Sequence, residues 1–173
     1  MLVPYKPDKG GQGCCPGQTP HHLVEVHCFT KVGERESGAR VHGFAKYDDK
    51  RAPCVCCDES SRYHGDHGSM HAIQGMSERA CMDADGPRSQ MGGANKTDWN
   101  YGAAKQGAVV AHNTTFPASG CSDDCLEAQL DSYHSQVGVK DDDTPLRADR
   151  SPLTAEQKEF GANVTGSAAG GIG

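Results

Sequence analysis

His21 and His22 stand side by side after Thr19-Pro20, and a second group of histidines runs through Tyr63-His64-Gly65-Asp66-His67-Gly68-Ser69-Met70-His71. On a helix, residues four apart share one face with their Cβ atoms about 6 Å apart, so His67 and His71 can reach a common ion. A third nitrogen from the upstream doublet would leave coordination positions open, as a catalytic site requires. Such a set suits phosphodiester hydrolysis, which needs an activated water, neutralised charge at phosphorus and help for the leaving oxygen. One divalent ion and one neutral histidine can supply all three. We assign His22 as general base, because an imidazole accepts a proton near neutral pH. His21, His67 and His71 are the expected metal ligands, which also makes His21 half of the catalytic doublet. His64 takes a ligand's place if the helix register differs. Asp66 either joins the ligands or orients one of them, its plainer role being a negative charge at a helix start. Glu25 reads as an ordinary carboxylate, and His27, His42, His112 and His134 as surface or structural histidines.

Two strands and a helix must hold these groups. The β-prone run at residues 23–29 directly follows the doublet, and residues 52–57 form a second candidate strand or extended loop. A Gly- and charge-rich connection, residues 31–51, lies between them. A 3.6-residue period marked by Met70, Ile73, Met76 or Ser77, Ala80 and Cys81 predicts a helix over 66–82, which Gly86-Pro87 ends. A second helix is expected over 102–113. A third is capped by Ser122, carries Asp123 and Asp124 in its first turn and the stripe Leu126, Leu130, Tyr133, Val137, and stops at Gly138. A short last helix over 154–161 has Gln157 in a capping box.

The chain has 173 residues, 22 of them glycine, and a net charge of −6. That length suits one core, and the glycine content suits a loop-rich fold in which a metal or staple supplements a thin interior. Residues 1–72 hold nine basic and nine acidic groups, residues 73–120 four of each, and residues 121–160 four basic against ten acidic. The acidic excess therefore lies outside the histidine-bearing segment, so the net charge does not exclude a nucleic-acid substrate. No apolar run of about 18 residues predicts membrane insertion, and no cleavable leader is visible.

The nine cysteines are an odd set, so at least one stays unpaired in a monomer. Reduced, partly buried thiols, a structural zinc on Cys54, Cys57, Cys121 and Cys125, and disulfides are the three alternatives.

The stretches Cys15-Pro16-Gly17-Gln18-Thr19-Pro20-His21-His22-Leu23-Val24, Tyr47-Asp48-Asp49, Ala52-Pro53-Cys54-Val55 and Tyr63 to His71 together resemble the GHH-signature toxins of the HNH/endonuclease VII superfamily. The likeness continues through Gly120-Cys121-Ser122 and Ala128-Gln129-Leu130-Asp131-Ser132-Tyr133-His134. It implies an α+β fold with a ββα-metal core, additional helices and long loops. It places His22 as base and His21, His67 and His71 on the metal, a divalent ion such as Zn, Ni, Mn or Mg. It further implies a DNase toxin with a DNA substrate, a cognate immunity protein and delivery by a PAAR/VgrG-type type VI secretion apparatus. Such a toxin would be made in a bacterial cytoplasm and act in that of the target cell. The corresponding division is a flexible approach over 1–13, a nuclease domain over 14–138, an acidic connection with a short helix over 139–161, and a Gly/Ala-rich tail over 162–173.

Two other readings compete. Pro53-Cys54-Val55-Cys56-Cys57 fits the P-C-x-x-C half of a zinc nucleobase deaminase, although His22-Leu23-Val24-Glu25 is one residue too long for the H-x-E half. A non-catalytic zinc-stabilised binding module would use the same histidines and cysteines for folding alone.

Overall fold

In the computed structural model, residues 2–5, 13–32, 38–81 and 99–148 are described. Three antiparallel strands, β1 (Val3–Pro4), β2 (Gln18–His22) and β3 (Pro53–Asp58), form a sheet in the order β1-β3-β2. Three helices follow, α1 (Gly65–Ala80), α2 (Tyr101–Thr115) and α3 (Asp123–His134). The architecture is the expected α+β arrangement, with β2, β3 and α1 forming the ββα unit. No described helix is long and apolar enough to cross a membrane.

The doublet sits on β2 itself, where His21 pairs with Val55 and His22 with Cys54. This corrects the expected strand over 23–29, which is instead a bend leading into a 3-10 turn, Val26–Cys28. The ladder stops because β3 begins at Pro53. Leu23 N donates to Pro53 O at 3.1 Å, but proline has no N–H to return the bond. Leu23 and Val24 are then both buried, which a half-exposed strand could not achieve. Pro20 is tolerated because β2 lies at an edge of the sheet.

Residues 38–52 fold back over the core. Phe29 stacks on Tyr47 with centroids 4.2 Å apart and meets Phe44 edge-on at 5.1 Å. Removing the fully buried Phe29 ring would cost about 3–5 kcal/mol. Tyr133 of α3 fastens the same segment, its hydroxyl donating to Asp48 O while accepting from Asp48 N.

α2 is capped by Asn100, whose Oδ1 accepts from Ala103 N at 2.9 Å, and α3 by Ser122, whose Oγ accepts from Cys125 N at 3.3 Å. α1 and α2 approach closely at Gly107, where a Cβ would lie 2.7 Å from that of Ser77. The expected stop at Gly138 takes φ +121. The segment after it enters the core, since Val139, Leu146 and Ala148 are buried. The acidic connection expected from residue 139 thus begins as packed structure. The short helix expected over 154–161, the tail over 162–173 and the stop at Gly86-Pro87 lie outside the described residues.

Cys14 and Cys56 form a disulfide, while Cys15, Cys28, Cys54, Cys57, Cys81, Cys121 and Cys125 stand outside any disulfide. The zinc expected on Cys54, Cys57, Cys121 and Cys125 is not assembled among the described residues. Cys54 and Cys57 are three apart on one strand, so they point to opposite faces of the sheet. The same alternation removes the deaminase pattern, whose remaining cysteine, Cys56, is in the disulfide.

Candidate metal centre and general base

β2 lies against α1, and strand alternation gives the two histidines of the doublet different neighbours. His21 meets His67 and His71 of α1. The ring centroids are 5.0 Å apart for His21 and His67, 4.4 Å for His21 and His71, and 4.7 Å for His67 and His71. One ring nitrogen from each lies within 4.8 Å of those from the others. His64, the N-cap of α1, is exposed and outside this group. Asp66 faces Asp58 and Glu59, and burial together with these carboxylates raises its pKa.

Hydrogen bonds fix which nitrogen of each ring keeps its lone pair. The Gln74 amide nitrogen donates to Leu23 O at 2.7 Å and, at 3.4 Å, to His22 O. Its Oε1 therefore faces His21 and accepts from Nε2–H at 2.8 Å. The His21 lone pair is consequently on Nδ1. His71 Nδ1–H donates to Glu25 Oε1 at 2.8 Å, which puts its lone pair on Nε2. His67 Nδ1 is buried without a hydrogen-bond partner. An orphaned ring nitrogen among oriented imidazoles is what a metal ion would satisfy.

Protonation is suppressed across the group. Burial first, then the charges of His71, His67 and His22, pushes His21 well below its ordinary value. Burial, then Arg62 and His27, lowers His71 to about 3. Burial and His71 also lower His67. All three rings are neutral at pH 7, the state in which histidine binds metal.

His22 faces the other way. Its Nε2–H donates to Asp49 O at 2.9 Å, and its ring stacks on Tyr5 with centroids 4.7 Å apart. A backbone carbonyl can only accept, so the proton is on Nε2 and the lone pair on Nδ1. Asp49 is in turn held by Arg40, Nη2 to Oδ1, at 2.8 Å. The long segment between β2 and β3 thus supplies the carbonyl that sets the tautomer of the candidate base.

Gln74, Glu25 and Asp49 were not assigned to the site from sequence. Gln74 carried a usable signal, because residues 67, 71 and 74 fall on one helical face. Glu25 is no ordinary carboxylate, since it orients His71. Asp49 acts through its backbone, which no residue type reveals.

Three imidazoles converging between a strand and a helix of a ββα unit are the arrangement that a ββα-metal nuclease would use. The chain belongs to the family described as GHH signature containing HNH/Endo VII superfamily nuclease toxin 2, which matches residues 18–134. Membership implies a divalent metal ion, and the His21, His67 and His71 group fits one. The chain is also 39% identical over 152 residues to the DNase toxin Tse7 of Pseudomonas aeruginosa. That match covers 85% of this chain and 37% of the relative, so the chain spans little more than a third of that protein's length. No solved structure matches the chain.

Proposed function

We propose that the protein is the metal-dependent DNase domain of an antibacterial toxin, with His21, His67 and His71 holding one divalent ion and His22 acting as general base. The observation that carries this reading is the set of tautomers, with lone pairs on His21 Nδ1, His71 Nε2 and His22 Nδ1, beside a His67 Nδ1 buried without a hydrogen-bond partner. A bound divalent ion would neutralise charge on the phosphodiester and polarise the groups bound to it. His22 Nδ1 takes the proton from the attacking water, and the Nε2–H bond to Asp49 O holds the ring while its charge changes. Arg62, exposed and close enough to disfavour protonation of His67 and His71, supplies a cation for a phosphate.

DNA as substrate is supported by the name and 39% identity of the relative. A nitrogen-rich ligand set favours Zn or Ni over Mn and Mg on affinity, with availability deciding in the cell. A toxin's producer needs a cognate immunity protein, and the exposed carboxylates of Asp123, Asp124, Asp141, Asp142 and Asp143 suit a basic partner surface. Delivery by a PAAR/VgrG-type contact-dependent apparatus into the cytoplasm of a target cell completes the proposal.

The test incubates the purified chain with supercoiled plasmid and total RNA, with each metal or a chelator, beside His22→Ala. Metal-dependent nicking and linearisation of plasmid, lost in the variant, is the expected result. Intact DNA under every metal would overturn the reading.

A further inference from the structure

α1 carries polar side chains at 67, 71, 74 and 78, steps of four, three and four that keep them on one face. The first three belong to the metal centre or orient it. Glu78, two turns beyond His71 and 1% exposed, has no part in the chemistry described above.

Its contacts lead back to that centre. Glu78 Oε2 accepts from His27 Nε2–H at 3.1 Å, and His27 Nδ1–H donates to Glu25 Oε2 at 2.9 Å. The other oxygen of the same carboxylate, Glu25 Oε1, accepts from His71 Nδ1–H at 2.8 Å. Arg147 Nε donates to His27 O at 2.8 Å and so anchors the 3-10 turn on which His27 stands. An imidazole donating from both nitrogens is an imidazolium. Burial opposes that charge, but Cys28 and Glu78 against the ring outweigh it and raise His27 to about 10. Two carboxylates, the imidazolium and the buried Arg147 guanidinium beside it sum to no net charge, so what the network gives His71 is a fixed position for Glu25. A carboxylate bonded to the far nitrogen of a histidine fixes its tautomer and orientation, leaving the other nitrogen for a metal.

We propose that His27 and Glu78 are positioning residues for the metal ligand His71, acting through Glu25, and that the three together form a relay which orients the ring. The proposal rests on His21, His67 and His71 being the metal centre. The three relay residues also offer ligand atoms within 4.8 Å of one another, but both nitrogens of His27 are already bonded to carboxylates, which favours a relay over a second ion site.

The experiment measures Zn2+ binding to the full chain by competition with a chromogenic chelator, with zinc stoichiometry and circular dichroism recorded for each variant. The set is wild type, His67→Ala, Glu78→Gln, His27→Gln, Glu25→Ala, Glu25→Ala with Glu78→Gln, and His27→Gln with Glu78→Gln. The last replaces the buried ion pair by two neutral amides and guards against a single variant that fails to fold. We expect one zinc in wild type and a loss of affinity of about tenfold or more in Glu78→Gln and His27→Gln. Glu78→Gln should add no further loss once Glu25 is alanine. In 15N spectra of the imidazoles, the downfield His71 Nδ1–H resonance of the wild type should weaken in Glu78→Gln. Unchanged affinity and an unchanged His71 signal in folded variants would overturn the relay. So would additive losses on the Glu25→Ala background, or a second zinc that Glu78→Gln removes. Zinc retained undiminished in His67→Ala, or no zinc in wild type, would instead overturn the metal centre and the relay with it.

Discussion

Gln74 Oε1 accepts the Nε2–H of His21 at 2.8 Å, and the same amide closes α1 onto the end of β2 by donating to Leu23 O at 2.7 Å. One side chain therefore joins the two elements that carry the histidine group and sets the tautomer of His21. Gln74→Met keeps the volume and removes both functions. We expect zinc affinity to fall about 10- to 100-fold and stability to fall about 1–3 kcal/mol from unpaired buried groups, read by chelator competition and urea unfolding. Wild-type affinity in a folded variant would show that the His21 tautomer needs no such partner.

His22 is buried and bonded to Asp49 O, yet it stands outside the group that His21, His67 and His71 form. His22→Ala should lower the cleavage rate about 10²- to 10⁴-fold while leaving one zinc bound with wild-type affinity. Loss of zinc along with activity would make His22 a ligand rather than a base.

His134 is fully buried and stacks on Phe29 with centroids 5.3 Å apart. Burial lowers its pKa from 6.5 to about 4. The unfolded chain then takes up a proton that the folded protein resists, so this contribution to stability is intact above about pH 6.5 and is lost as pH falls towards 4. Its size is about 3 kcal/mol. His134→Phe keeps the ring stack and removes the titration, so stability measured between pH 7 and pH 4 should fall less steeply than in wild type. Identical slopes would refute the assignment.

Gly138 ends the turn after α3 at φ +121, and a Cβ there would lie 2.3 Å from Gly43 O. Gly138→Ala is strained in backbone and in space, and we expect a loss of about 3 kcal/mol in thermal unfolding. Gly43 opens the segment whose Asp49 carbonyl orients His22, so cleavage should fall more than zinc affinity does. An unchanged melting temperature would contradict this packing.

The grouping of His21, His67 and His71 was legible because helical spacing brings His67 and His71 together whatever surrounds them, and because the doublet gives the third nitrogen. α3 was legible from its cap at Ser122, whereas the helix ends at His134 and Gly138 closes the 3-10 turn, residues 135–137, that follows it. The strand over 23–29 was misread because Leu23, Val24 and Phe29 have β-prone side chains, whereas the ladder is cut by the missing N–H of Pro53, a partner 30 residues away in the chain. His134 looked isolated for a similar reason. Its neighbours Phe29 and Tyr101 come from other elements, and burial in the core is a tertiary fact. The orienting groups were hardest to see, because Glu25 resembles any loop carboxylate until its distance to His71 is known.

X-ray diffraction from zinc-loaded crystals, with anomalous scattering recorded at the zinc edge, tests the central claim most directly. One anomalous peak bonded to His21 Nδ1, His67 Nδ1 and His71 Nε2, with His22 outside the coordination sphere, is the result this account predicts. A peak held by His22, or by Glu25, His27 and Glu78, with the three histidines unbound, would contradict it.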